Sequence, residues 1–245
     1  MTGVGRRVSV VWTTGVGHRA SVVRLSVAGG NMDAMSFSGF PDDAFLFYEG
    51  LEADNSKTYW TRYKHLYEQT VKAPMAALGE ELAAEFGRVH LFRPHRDVRF
   101  AKDKTPYKTH QGAYTAVGEA IGYYVQLDAA GLHAGAGLYS AQGGQLLRYR
   151  QAVDEEISGV PLEKIVDELR VAGYTIGGDR LKTRPRGTPE DHPRLDLLRH
   201  RSLHAGRRFD PEPWIHTPEV VDRVRVVWRD LTPLVEWLAV HLPTD

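Results

Sequence analysis

Apolar positions along this chain follow one spacing, then another, then the first again. Pro41 suits the first turn of a helix with Phe45, Phe47, Tyr48 and Leu51 on its apolar side, closed by Gly50 and Asp54-Asn55. Ser56 then caps a second helix, in which Trp60, Tyr63, Tyr67, Val71, Met75, Leu78, Leu82 and Phe86 recur every three or four residues. Pro74 interrupts that stripe and predicts a kink or a division. From Val89 the spacing shortens to runs of aromatic and β-branched residues: Val89–Phe92, Asp97–Phe100, Ala113–Val117, Tyr123–Leu127 and Leu132–Tyr139. The turn before the last is Asp128-Ala129-Ala130-Gly131.

After Gly143-Gly144 the helical spacing returns through Leu146, Leu147, Val153 and Ile157, then again from Pro161 to Val171, ended by Gly173. A loop rich in Pro, Gly and charge over 183–193 precedes the short apolar pattern Leu195, Leu197, Leu198. Thr217-Pro218-Glu219 opens a last helix with Val220, Val224, Val227, Trp228, Leu231, Leu234, Val235 and Leu238 on one side, bent at Pro233. Helices before, strands within and helices after predict an α+β domain, a mainly antiparallel sheet flanked by N-terminal and C-terminal helices. Trp60, Trp214, Trp228 and Trp237 fall at core positions of that pattern.

Composition narrows the function. With 42% hydrophobic and 25% charged residues over 245 positions, the chain has length enough to bury a core. It has no cysteine, which excludes disulfides, thiol catalysis and thiolate metal sites. Apolar runs are too short for a spanning helix, and the expected setting is cytoplasmic. Lys+Arg and Asp+Glu are 31 each, so no net field draws the molecule to nucleic acid or to an anionic membrane. Met1–Asn31 holds Arg6, Arg7, Arg19 and Arg24 and no acidic residue. Residues 1–34 are therefore expected to form a poorly ordered basic extension, from a start upstream of Met32 or Met35, and 35–245 a single domain.

Positive charge is densest over 93–110. There Arg96, Arg99, Lys102, Lys104 and Lys108 lie with Asp97, Asp103 and Tyr107 around Pro106. Read as a strand, Arg96–Ala101 sends Arg99 to the opposite face from Arg96, Val98 and Phe100. A guanidinium fork and nearby ammonium groups suit a phosphate or carboxylate, so the set is a candidate ligand site, with Lys182 as a second wall. Asp97 or Asp103 would be the base if binding led to turnover. Two other readings compete: an ion-pair lattice in which these residues satisfy one another, and a nucleic-acid module using the same strip, against which the absence of a recognition helix or exposed aromatic row counts. A second cluster, Arg180, Lys182, Arg184, Arg186 and His192, is loop-borne. His200 and His204 have a metal-compatible helical spacing but lack a third ligand, so no metal is assigned, and no dinucleotide or P-loop fingerprint implies a cofactor.

The run Arg96-Asp97-Val98-Arg99-Phe100-Ala101-Lys102-Asp103-Lys104-Thr105-Pro106-Tyr107-Lys108 resembles the hallmark of an uncharacterised, mainly bacterial family, domain of unknown function 2461. Asn55-Ser56-Lys57 with Trp60 and Lys64, Gly135–Tyr139, Arg150, and Leu181-Lys182 ahead of Pro185, Gly187 and His192-Pro193 are similar to that family too. The resemblance covers about Phe37 to Leu242. Ala101 stands where members often have serine. It implies an α+β fold and leaves the activity open.

Overall fold

A computed structural model describes residues 9–10, 23–24, 36–99, 102–141 and 143–243. The chain divides into two units, Met1–Met35 and Ser36–Asp245. Within the first, strands β1 (Ser9–Val10) and β2 (Val23–Arg24) pair antiparallel; the rest of the expected basic extension lies outside the described residues.

The second unit is an α+β domain. Its helices α1 (Asp42–Ala53), α2 (Lys57–Leu66) and α3 (Ala73–Phe86) come first. A sheet follows: β3 (His90–Leu91), β4 (His110–Gly118), β5 (Ile121–Asp128) and β6 (Gly131–Leu138). Then come α4 (Gly143–Asp154), α5 (Glu156–Val171), β7 (Thr175–Gly177), the short α6 (Leu195–Leu198), β8 (Leu203–Phe209) and α7 (Glu219–His241). The sheet order is β3-β4-β5-β6-β8-β7, every pair antiparallel.

Alternation along the central strands sorts their two faces. Ile121, Tyr123, Val125 and Leu127 of β5 and Leu132, Ala134, Ala136 and Leu138 of β6 are buried beneath α7, which is itself buried along Val220, Val224, Val227, Trp228, Leu231, Leu234, Val235 and Leu238. The Trp228 indole N–H donates to the Tyr124 carbonyl at 3.1 Å and that of Trp237 to Ser158 at 2.8 Å, so both rings pack without a stranded donor. All four tryptophans read as core are buried.

Several sequence expectations change. The long N-terminal helix is divided at Pro74, and the division is a π-turn, Tyr67–Lys72, between α2 and α3, with Pro74 in the first turn of α3. A proline there supplies no N–H to the preceding turn, and the wider winding accommodates that loss. Gly50 does not close α1 but sits inside it, because the Tyr59 hydroxyl lies 2.2 Å from where a Cβ would be. The break between α4 and α5 falls at Glu155, not before Pro161, which lies within α5. Leu147, Ile157 and Val171, read as core, are exposed. Strands β7 and β8 carry too little apolar alternation to be read: inward positions on β8 are Leu203 and Ala205, between His204 and Gly206. The expected strand over 97–100 is absent across Asp97–Arg99, and Phe100 and Ala101 lie outside the described residues.

Candidate functional site

The segment between β3 and β4 is an excursion with a closed neck. His95 and Tyr107 form an antiparallel bridge; the Arg96 N–H donates to the Pro106 carbonyl at 2.9 Å and the Lys108 N–H to Pro94 at 2.8 Å. Beyond that neck the predicted site residues bind one another. Arg96 pairs with Asp103 and donates to the Thr105 hydroxyl at 2.6 Å. Arg99 grips Asp97 through Nε at 2.9 Å and Nη2 at 2.6 Å. The Lys104 ammonium donates to the Val98 carbonyl at 2.9 Å, and Asp103 accepts from the Thr105 N–H at 2.9 Å. Of that set Lys102 alone reaches solvent with no partner among the described residues. The bond to Arg99 holds the Asp97 carboxyl below the usual range, and the Thr105 and Arg96 bonds do the same for Asp103. Both are thereby weaker proton acceptors than an unpaired carboxylate.

Tyr107 turns the other way. Its backbone is clamped by Asn55, which donates from Nδ2 to its carbonyl at 3.0 Å and accepts its N–H at Oδ1 at 3.1 Å. Its ring stacks on Trp60 at 4.4 Å and 9°. Two sequence-distant pieces thus meet, the start of α2 and the end of the cationic run. They form one wall of a cleft of about 660 Å³ lined also by Lys57, Lys64, Tyr67, Glu68, Lys72, Phe92, Arg93 and His95. The π-turn supplies Tyr67, Glu68 and Lys72 to it, and such turns recur at functional sites.

The floor is fixed from beneath. Buried Tyr67 donates to the Gln111 side-chain oxygen at 2.6 Å, and the Gln111 amide donates to the carbonyls of Phe92 at 2.9 Å and Gly112 at 2.7 Å. Burial raises the Tyr67 hydroxyl well above its ordinary value, keeping it a donor. Lys72 is neutralised by Glu68 at 2.6 Å. Lys57, Lys64 and Arg93 form no salt bridge among the described residues, although the charge of Arg93 helps to lower Asp97, and neither the Trp60 indole N–H nor the Tyr107 hydroxyl has a hydrogen-bond partner there. Lys108 stands at the rim, its ammonium 4.9 Å over the Phe92 ring. Burial lowers its pKa first, and the neighbouring charge of Arg93 lowers it further. Arg93 and Lys108 thus repel each other beside a hollow with space for an anion.

The second cationic cluster does not converge on the first. Arg180 pairs with Asp196, Arg184 with Glu190 and His192 with Asp154, while Lys182 is exposed and gives its carbonyl to Arg199 at 2.9 Å. His200 and His204 are not on a helix: His200 precedes β8 and bonds the Ser202 carbonyl, and His204 stacks on Tyr139. Among the described residues no three His, Cys, Asp or Glu side chains gather into a metal-binding group, and no helix is long and apolar enough to cross a membrane.

Sequence reasoning missed Lys57, Lys64 and Arg93 as site cations, and it missed an aromatic row. The signal for the first lay in Asn55, Lys57, Trp60 and Lys64, which the family resemblance had already picked out. The row lies on the sheet face opposite α7, where Phe92, Tyr114 and Tyr139 are exposed. It corrects the expectation of no exposed aromatic row.

Fold and site together define a helix-backed antiparallel α+β domain with a cationic, aromatic-walled cleft. The chain belongs to the family described as conserved hypothetical protein (DUF2461), whose model matches residues 43–237. No curated protein matches the chain. The fold agrees with what the resemblance implied, and the family description assigns no activity.

Proposed function

We propose that the chain binds a small phosphorylated or carboxylated ligand in this cleft, in a cytoplasmic setting where such metabolites are held. Three cations that line one aromatic-walled hollow and form no salt bridge among the described residues carry the reading. Arg93 offers a planar fork, Lys57 and Lys64 offer point charges, and Lys108 adds a fourth cation at the rim. Against the sequence expectation, Arg96, Asp97, Arg99, Asp103 and Lys104 act as scaffold: their mutual bonds shape the excursion that carries Arg93 and Tyr107 at its neck. Lys102 and Lys182 stand apart from the ligand.

Thermal shift against a panel of phosphorylated and carboxylated metabolites tests this. A ligand at about 100 times its dissociation constant adds about 2.7 kcal/mol of stability. Arg93→Gln and Lys64→Gln each abolish the response, whereas Lys102→Gln, at the excursion tip, leaves it. Loss in the Lys102 variant with retention in the first two returns the site to the excursion tip. A flat panel removes the ligand.

A further inference from the structure

The outer sheet face carries a row of rings in contact with one another. Phe92 stacks on Tyr114 at 4.8 Å and 28°, Tyr124 meets Phe92 at 6.2 Å and Tyr139 at 5.8 Å, and Tyr139 stacks on His204 at 5.2 Å and 13°. Glycines make this possible. The register aligns Tyr114 and Tyr124 with Gly135 and Gly206 across four strands. The Tyr124 ring lies across Gly112, with Cε2, Cζ and the hydroxyl 2.5–3.0 Å from where a Cβ would stand. The result is a shallow apolar groove of about 510 Å³ between Phe92, Tyr114, Ile121, Tyr124 and Tyr139. Phe92 also lines the cationic cleft, and Lys108 sits over its ring. An anion site and a ring-lined groove therefore share one side chain.

Resting on the anion-site reading above, we infer that the ligand joins a phosphate to a flat unsaturated ring, the chemistry of a nucleotide, with the phosphate at Arg93 and Lys64 and the base against Phe92 and Tyr114. A phosphate alone would leave the groove unused, and a purely apolar guest would leave the cations unrelieved. Rings stack on aromatic side chains irrespective of base identity, so purine and pyrimidine are both accepted. The same chemistry occurs in free nucleotides and in a single strand of nucleic acid, and the row, extending from Phe92 to His204, gives the second source room for more than one base.

The test is calorimetric titration of the full chain with AMP, UMP, ribose 5-phosphate and adenosine, and with a five-nucleotide single-stranded RNA. AMP and UMP are expected to bind roughly tenfold or more tightly than ribose 5-phosphate. In a Tyr114→Thr variant that ratio falls toward one while ribose 5-phosphate binding is unchanged; Arg93→Gln weakens all phosphate-bearing probes. RNA binding that exceeds AMP and falls steeply with salt assigns the polymer as source; RNA no tighter than AMP assigns the free nucleotide. Ribose 5-phosphate equal to AMP overturns the base site and leaves the anion site standing. Adenosine equal to AMP overturns the joint site. No binding by any phosphate-bearing probe, including ribose 5-phosphate, removes the anion reading itself.

Discussion

At the scale of single residues, Asn55 has the clearest role. It is not charged and lies outside the cationic run, yet its two bonds to the Tyr107 backbone join α2 to the excursion and set Tyr107 against Trp60. Asn55→Ala removes both partners from a half-buried backbone pair. The expected cost is about 1–3 kcal/mol in chemical denaturation, together with loss of the ligand-induced thermal shift. Stability loss with an intact ligand response would mean that the clamp serves the fold alone. At this scale charge density and charge availability are different properties. Arg96 pairs with Asp103 and Arg99 with Asp97, the mutual pairing that the ion-pair reading of the sequence described. Availability is a property of pairing: Arg99–Asp97 is a local pair, whereas Arg96–Asp103 joins the two sides of the excursion beyond the His95–Tyr107 neck.

At the scale of elements, legibility followed periodicity. The α1 helix, the α2–α3 stripe, strands β4 to β6 and α7 were all readable, because each buries a face with a regular apolar spacing. Strand β8 was not. Its outward positions are His204, Gly206 and Arg208, and the alternate positions Leu203, Ala205, Arg207 and Phe209 mix apolar with charged, so neither period shows. Buried or half-buried histidines nonetheless lie on and around it: His204 on β8, His200 just before it and His133 on the neighbouring β6. Burial lowers the pKa of His133, His200 and His204, and of His110 at the start of β4. His200 donates from Nδ1 to the Ser202 carbonyl at 2.8 Å and its Nε2 is buried without a partner, so a proton added there meets no acceptor. Each depressed histidine is protonated more readily when the chain unfolds. Stability is therefore full above the ordinary histidine value of 6.5 and declines as pH falls below it, toward and through the lowered folded values. Asp97, Asp103 and Glu85, also lowered but fully exposed, act only at more acidic pH and weakly. Melting temperature measured from pH 7.5 to 5 should fall below 6.5, and His200→Asn, which can keep the Ser202 bond, should flatten that fall. A flat profile in the parent chain would contradict the assignment of neutral buried histidines.

At the scale of the whole domain, the sheet separates two tasks. One face is closed by α7 and holds the core; the other carries rings lying over glycine, and its β3–β4 edge opens into the cleft. The α+β class followed from the order of periods, whereas the cleft required Asn55 and Tyr107, 52 positions apart, to meet, which no local pattern reveals. Its clue was the combination of Asn55, Lys57, Trp60 and Lys64 with Tyr107. The most direct test of the account is a ¹H–¹⁵N chemical-shift map of the full chain titrated with inorganic phosphate. Saturable shifts confined to 57–72 and 92–95, with Tyr107 and Lys108, are predicted, and those of 97–104 should stay small. Shifts centred on 97–104 or on 180–192, or none at all, would contradict it.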